Sequence, residues 1–373
     1  MKKASLALFT SISIIFSFNA FALETKAPHA ILVDYDTDTV IFEKEADVPT
    51  VPSSMSKLMT VYVIFDKLKK GELKLNERFL VSENAWRKQG SKMFLHVGSS
   101  VTLEDLIKGI IIQSGNDACI TAAEGIAGTE EEFVNILNEK AKELGLTNSH
   151  FVNSTGWPDD NHKMSMRDLS ILSKHLINDF PEYYSYFAER EFVYNNIKQQ
   201  NRNLSLNRFN GVDGLKTGHT DAGGYGIAMS AQQKNRRLIV VVNGLSSMKE
   251  RAEEAERLLS HGFISYDNVH LVKKDVTISS IPVWLGDKNS IECYSKEDLV
   301  ATLPKSDMSR VYITIRHLEK IPAPIAKDSH IANLVIDVPG SSAKTYKLYA
   351  KEDVSSLGMI QRAIFKIKHK FSL

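Results

Sequence analysis

The sequence predicts a mixed α/β (α+β) fold with a second, small all-β domain and a C-terminal amphipathic helix. Three observations predict it. Strand-like runs open and close the long first part of the chain and enclose a series of helical patterns; from about Val269 the texture changes to short alternating runs; the tail places apolar residues at three- and four-residue steps. At 373 residues there is room for one large domain or two of ordinary size.

The first 22 residues read as an export signal. Lys2 and Lys3 precede an apolar run from Ala4 to Phe18, and Ala20-Phe21-Ala22 supplies a small-x-small cleavage site, so the mature chain is expected to start at Leu23. The run is short and interrupted by Ser11, Ser13 and Ser17, which argues against an uncleaved spanning anchor. Formal charge is +1 for the whole chain and −1 once the two lysines of this segment are gone. Such balance argues against nucleic acid as a partner.

Residues 23–265 read as one α/β unit. Ala30–Asp34 and Thr39–Glu43 are strand-like and flank the turn Asp36-Thr37-Asp38, a hairpin pattern. The helix expected from Ser54 to Lys69 is apolar almost all round at Leu58, Met59, Val61, Tyr62, Val63, Ile64 and Phe65, which marks it as central. Further helices are expected over Thr102–Gln113, Asp117–Ala127, Glu130–Leu144 and Met166–Asn178. Tyr225–Gln232 and Arg237–Asn243 flank Lys234-Asn235-Arg236 as a second hairpin, and the charged helix Lys249–His261 follows.

Residues 266–352 have the short runs of a β-domain, such as Val311–Arg316. Over 353–373, Leu357, Ile360, Ile364, Ile367 and Phe371 share a stripe while Arg362, Lys366, Lys368 and Lys370 add positive charge, the pattern of a helix lying on a membrane surface. The two cysteines, Cys119 and Cys293, are far apart and form no metal-ligand or C-x-x-C pattern. Cys119, inside the apolar stretch Ala118–Ala123, reads as a buried free thiol.

The sharpest chemical signal is Ser54-Met55-Ser56-Lys57. A three-residue step on a helix puts the Lys57 amine beside the Ser54 hydroxyl, and apolar surroundings would lower the amine's pKa until it can act as a base. Alone this pattern is weak, because Ser is an ordinary helix cap. Ser114-Gly115-Asn116 adds a tight turn that can present a hydroxyl and a carboxamide together. Lys216-Thr217-Gly218, just before the second hairpin, adds a cation and a hydroxyl for a carboxylate, with Gly allowing a ligand backbone to lie against a strand.

In this order S-x-x-K, S-x-N and K-T-G are the signature of serine β-lactamases and penicillin-binding proteins. With Ser114–Cys119, Phe151–Ser154 and Asp213–Thr220, the chain resembles the low-molecular-mass D-alanyl-D-alanine carboxypeptidases of the bacterial cell envelope over essentially its whole length. The resemblance implies an antiparallel sheet covered by helices, β-lactamase/transpeptidase-like, and a location on the periplasmic face of the inner membrane. It implies that Ser54 is acylated, Lys57 is its base, and Ser114 passes a proton to the departing D-alanine. Asn116 and Lys216 would orient the donor, Thr217 and Arg251 would hold the terminal carboxylate, and the N–H groups of Ser54 and His219 would form the oxyanion hole. The side chain of His219 can equally be packed or solvated. The partners implied are peptidoglycan stem peptides and covalently bound β-lactams; no metal or other cofactor is implied.

Residues 145–180 lack the E-x-x-L-N pattern that class A β-lactamases carry for deacylation. A D,D-endopeptidase of the same fold, or a catalytically silent wall-binding scaffold that retains it, would also fit the three motifs. The loop Trp157-Pro158-Asp159-Asp160 departs from the family pattern at the site rim, which leaves the substrate detail open.

Overall fold

The computed structural model describes residues 23–337 and 343–364. The expected signal segment, residues 1–22, lies outside them. The first hairpin forms from β1 (His29–Asp34) and β2 (Val40–Lys44). A four-residue 3-10 turn, Ser53–Ser56, then leads into α1 (Lys57–Lys69), buried from Lys57 through Phe65. β3 (Arg78–Leu80), α2 (Glu83–Arg87) and β4 (Ser100–Thr102) build a small flap, followed by α3 (Leu103–Lys108), α4 (Asn116–Ala127), α5 (Glu130–Glu143) and α6 (Met166–Asp179). The helix starts are chemically marked: Thr102, Thr129 and Ser165 each accept a hydrogen bond from the N–H three residues on, and an acid occupies each first turn.

A second small hairpin, β5 (Glu191–Tyr194) and β6 (Ile197–Gln200), precedes β7 (Val212–Thr220), β8 (Gly224–Gln233) and β9 (Arg236–Leu245). The central sheet has the order β2-β1-β9-β8-β7, with every neighbouring pair antiparallel. Alternation along β9 sorts its side chains: Ile239 and Val241 join the large core around α1, whereas Val240 and Val242 join a core under α7 (Met248–Ser265). Helices therefore cover both faces, and β7 is left as an edge.

Two expected helices begin or end differently. The segment from Ser54 starts as the 3-10 turn, and the stretch expected as one helix to Gln113 leaves α geometry at Gly109, where residues 109–113 form a single wide turn with the Ser114 N–H bonded to the Gly109 carbonyl. The extra residue in that turn rotates Ser114 out of the helix.

β10 (Tyr266–Val272) starts directly after α7. β11 (Thr277–Trp284), β12 (Ser290–Tyr294), β13 (Leu299–Pro304), β14 (Tyr312–Arg316), β15 (Ile321–Pro322), β16 (His330–Asp337) and β17 (Lys344–Ala350) complete a β-domain. Its six-stranded sheet, β14-β16-β17-β12-β11-β15, accompanies the β10-β13 pair around a core that includes Ile281, Ile291, Cys293, Leu334 and Leu348. The two domains are tied at Asp34, which pairs with Arg236 at 2.8 Å and accepts from Asn268 at 3.2 Å, while Arg236 also donates to the carbonyls of Gly262 and Tyr266.

The tail begins later than the expected residue 353. Val354 is buried and exchanges two 2.9 Å backbone hydrogen bonds with Ile325, and the Leu357 N–H bonds to Leu285, so these residues belong to the β-domain. Helical backbone starts at residue 359 and is described to 364, with Met359, Ile360 and Ile364 exposed. The remainder of the expected amphipathic stripe lies outside the described residues. Among the described residues no helix is long and apolar enough to cross a membrane.

Candidate active site

The 3-10 turn places Ser54 at the head of the central helix. Three residues per turn eclipse positions i and i+3, so the Lys57 Nζ lies 2.8 Å from the Ser54 Oγ. The turn is held at both ends. Ser53, with φ at 50°, shares a 2.8 Å hydrogen bond with the Thr220 hydroxyl, and the Ser56 hydroxyl donates to the Ser53 carbonyl at 3.1 Å. Positive φ at a buried non-glycine residue is uncommon and marks a turn over-determined by its surroundings.

Lys57 is fully buried. Its amine also donates to the Asn116 Oδ1 at 2.8 Å and to the Thr155 carbonyl. Among the described residues no carboxylate bonds to it, and burial pulls its pKa down to about 8, with the nearby cations of Arg202 and Lys88 adding to the effect. A lysine in this state exchanges its proton near neutrality, as a base for a serine must.

The wide turn delivers Ser114 in a left-handed conformation, φ 65° and ψ 33°, with its buried hydroxyl unpaired among the described residues. Two residues on, Asn116 bridges to the opposite wall by donating from Nδ2 to the Gln89 carbonyl at 2.8 Å. Asp117 is structural: its carboxylate accepts from the N–H groups of Met93 at 2.8 Å and Leu95 at 3.1 Å, which fixes the loop facing the site.

Lys216, Thr217, Gly218 and His219 lie within β7, the edge strand that comes just before the β8–β9 hairpin and pairs with β8. Gly218 is required where β7 crosses the serine turn, because a Cβ there would stand 2.8 Å from the Pro52 carbonyl oxygen. Lys216 is buried, donates to the Thr217 carbonyl at 3.0 Å, and has its pKa driven well down by burial and then by the Lys57 and Arg202 charges. The ring of His219 is exposed and stacks on Tyr225 with centroids 3.8 Å apart.

Two clefts meet at Ser54. One, of about 300 Å³, is lined by Ser114, Arg202, Thr217, Tyr225 and Arg251; the other, of about 430 Å³, by Asn116, Thr155, Trp157, Thr220 and Asp221. Arg251, assigned from its position alone, reaches the smaller cleft from α7, with its guanidinium 5.9 Å from the Tyr225 ring centroid and burial lowering its pKa to about 10. Arg202 and Tyr225 are site residues that sequence reasoning missed. Arg202 donates to the Ser91 hydroxyl at 2.7 Å and supplies a carbonyl to Arg251 at 3.1 Å, yet its neighbourhood carries no motif. The smaller cleft thus presents two guanidinium groups and a hydroxyl, a site for an anion.

The D-alanyl-D-alanine carboxypeptidase family profile matches residues 17–247. The chain belongs to that family. The profile of the penicillin-binding protein 5 C-terminal domain matches residues 266–356. The family member D-alanyl-D-alanine carboxypeptidase DacC of Escherichia coli is 36% identical over 98% of this chain and 95% of its own length. The solved structure of penicillin-binding protein 5 from Haemophilus influenzae is 34% identical, covers 90% of this chain and 99% of its own, and superposes with a TM-score of 0.82. Penicillin-binding protein D2 of Listeria monocytogenes, solved in an ampicillin-bound form, covers 65% of this chain and 99% of its own at 26% identity and a TM-score of 0.60.

Proposed function

We propose that the chain is an exported serine D-alanyl-D-alanine carboxypeptidase that removes the terminal D-alanine from peptidoglycan pentapeptide stems through an acyl-enzyme on Ser54. The observation that carries this reading is the 2.8 Å contact of the buried Lys57 amine with the Ser54 hydroxyl, beside a cleft cationic enough to hold a free carboxylate. The names of its relatives support the same reaction.

The substrate carboxylate sits against Thr217, Arg202 and Arg251, which sets the scissile carbonyl over Ser54. Lys57 takes the hydroxyl proton as Ser54 Oγ attacks, and the N–H groups of Ser54 and His219 receive the developing oxyanion. Ser114, backed by Lys216, returns a proton to the leaving D-alanine nitrogen, so that the C–N bond breaks as the serine ester remains. Water then attacks the ester and Ser54 recovers its proton. A β-lactam enters by the same attack but keeps its leaving group tethered, and the acyl-enzyme persists.

The address completes the proposal. The leader pattern at residues 1–22 supports export, and the exposed apolar residues at 359–364, together with the lysines that follow in the sequence, support attachment to the periplasmic face of the inner membrane. The test is D-alanine release from a pentapeptide by the chain starting at residue 23, against Ser54→Ala. Release that vanishes in the mutant supports the reaction and its nucleophile; a parent that binds penicillin but frees no D-alanine refutes carboxypeptidase activity and favours an endopeptidase.

A further inference from the structure

A neutral lysine amine has two N–H groups and one lone pair, and only the lone pair can take the proton of a serine hydroxyl. Lys57 Nζ has three neighbours: the Ser54 Oγ and the Asn116 Oδ1, each at 2.8 Å, and the Thr155 carbonyl oxygen. Asn116 and Thr155 each accept one N–H, and the lone pair is then left facing Ser54. The aim of the base is therefore set by one side chain of the S-x-N motif and by a backbone carbonyl that belongs to none of the three motifs.

Asn153 directs that carbonyl. Its Oδ1 accepts from the N–H groups of Thr155 at 3.1 Å, Gly156 at 2.8 Å and Trp157 at 3.0 Å and from the Thr155 hydroxyl at 3.0 Å, while its Nδ2 donates to the Trp157 carbonyl at 3.0 Å. A trans peptide holds its N–H and C=O on opposite sides. The Gly156 N–H that turns toward Asn153 thus sends the Thr155 carbonyl the other way, to Lys57. The Thr155 N–H does the same for the Ser154 carbonyl, which accepts from the Thr60 hydroxyl at 2.7 Å. Lys57 and Thr60 are three residues apart on α1, so two successive carbonyls dock on one face of that helix. The loop is pinned on its other sides as well: the Ser154 N–H and hydroxyl donate to Glu130 at 2.9 and 2.6 Å, and a Cβ on Gly156, at φ +74°, would be 2.0 Å from the Ser53 carbonyl oxygen.

We propose that Asn153 is a positioning residue for acylation: through the Thr155 carbonyl it holds the Lys57 amine so that the lone pair faces Ser54. Among the described residues Asn153 forms no hydrogen bond to Lys57, and it acts on the amine only through the loop. The role rests on the reading of Lys57 as the base. The charged and titratable groups that act on Lys57 are Cys119 and Asp117 on α4, Lys216 on β7, and Arg202, Lys88 and His162 in loops. None of them hydrogen-bonds to Asn153 among the described residues. Lys88 lies over the Trp157 ring, 5.1 Å from its centroid, and a loop that released it would withdraw a cation and raise the Lys57 pKa.

The test follows acylation of Ser54 by a fluorescent penicillin across the pH range, as a second-order rate constant per active site, in the parent and in Asn153→Ala. Losing the aimed carbonyl removes an acceptor that favours the ammonium, so the acid limb of the profile is expected to move down by about one pH unit, from about 8 to about 7. The plateau is expected to fall about tenfold at the same time, because the amine, although neutral over a wider range, is no longer directed at Ser54. Asn153→Asp keeps the acceptor for the loop N–H groups and adds a negative charge; it should restore the plateau to within about threefold, with the limb at or above that of the parent. A variant that only folded less well would lose sites, counted by the penicillin bound at completion, and leave the limb in place. If the alanine variant binds no penicillin, Asn153→Ser replaces it and is judged by the same limb. A limb unmoved or moved upward in the alanine or serine variant overturns the role of Asn153 alone. A flat profile in the parent removes the base, and the role of Asn153 with it. Because the probe is a penicillin and not a stem peptide, a parent that releases no D-alanine refutes the carboxypeptidase reading without touching this result.

Discussion

Lys57 should leave a signature in the pH dependence of acylation. Its pKa is about 8, below the ordinary 10.5, so the neutral amine that can accept the Ser54 proton dominates above that value and is lost below it. We expect kcat/KM to rise with pH and level off near 8, falling about tenfold per unit on the acid side. A profile flat between pH 6 and 9 would exclude the amine as base. Arg251→Ala tests the carboxylate cleft at the same scale: loss of a charged hydrogen-bond donor should raise KM by about ten- to a hundredfold while β-lactams still acylate Ser54. An unchanged KM would leave the carboxylate to Arg202 and Thr217.

At the scale of elements, the site depends on how closely β7 approaches the serine turn. Gly218→Ala would set a methyl group 2.8 Å from the Pro52 carbonyl oxygen and 3.2 Å from the Met55 backbone nitrogen, pushing strand and turn apart. The expected outcome is a fall of about tenfold or more in kcat/KM, since small displacements of a nucleophile from its oxyanion donors are costly, with only a modest change in melting temperature. Wild-type kinetics in that variant would mean that β7 does not hold the substrate. The wide turn before Ser114 has a similar role: without its extra residue the hydroxyl would stay on the flank of α3.

For the whole molecule, Asp34 is the point to disturb. It is fully buried, balances the buried Arg236, and bonds to Asn268 of the β-domain. Asp34→Ala leaves a buried guanidinium uncompensated, for which about 3–5 kcal/mol of destabilisation is expected, measurable by urea unfolding. A loss below about 1 kcal/mol would show that water reaches Arg236 after all. Truncation probes the other end. Because Val354 is part of the β-domain core, the informative cut falls after residue 358, and the chain 23–358 should stay folded and active yet no longer sediment with anionic vesicles that bind the chain 23–373. Equal sedimentation of both would refute the tail as an anchor.

Much of this molecule is legible in its sequence because local rules suffice for it. The all-round apolar pattern of Leu58 to Phe65 marks a buried helix, the alternation after Val269 marks a β-domain, and three short motifs name the chemistry before any fold is drawn. What local rules cannot reach is anything brought in by another part of the chain. Arg202 and Tyr225 join the site only because β8 and the segment after β6 fold toward α7; the wide turn at Gly109 depends on packing as close as that of the Met93 side chain against it; and Val354 is set apart from the tail only by its pairing with Ile325. The sequence by itself determined the family of reactions and the order of the elements, since both are written in residue type and spacing. The tertiary structure decided the depth of Lys57, the residues that line the clefts at Ser54 and the edges of the domains, because burial, charge proximity and strand pairing are properties of residues far apart in the chain.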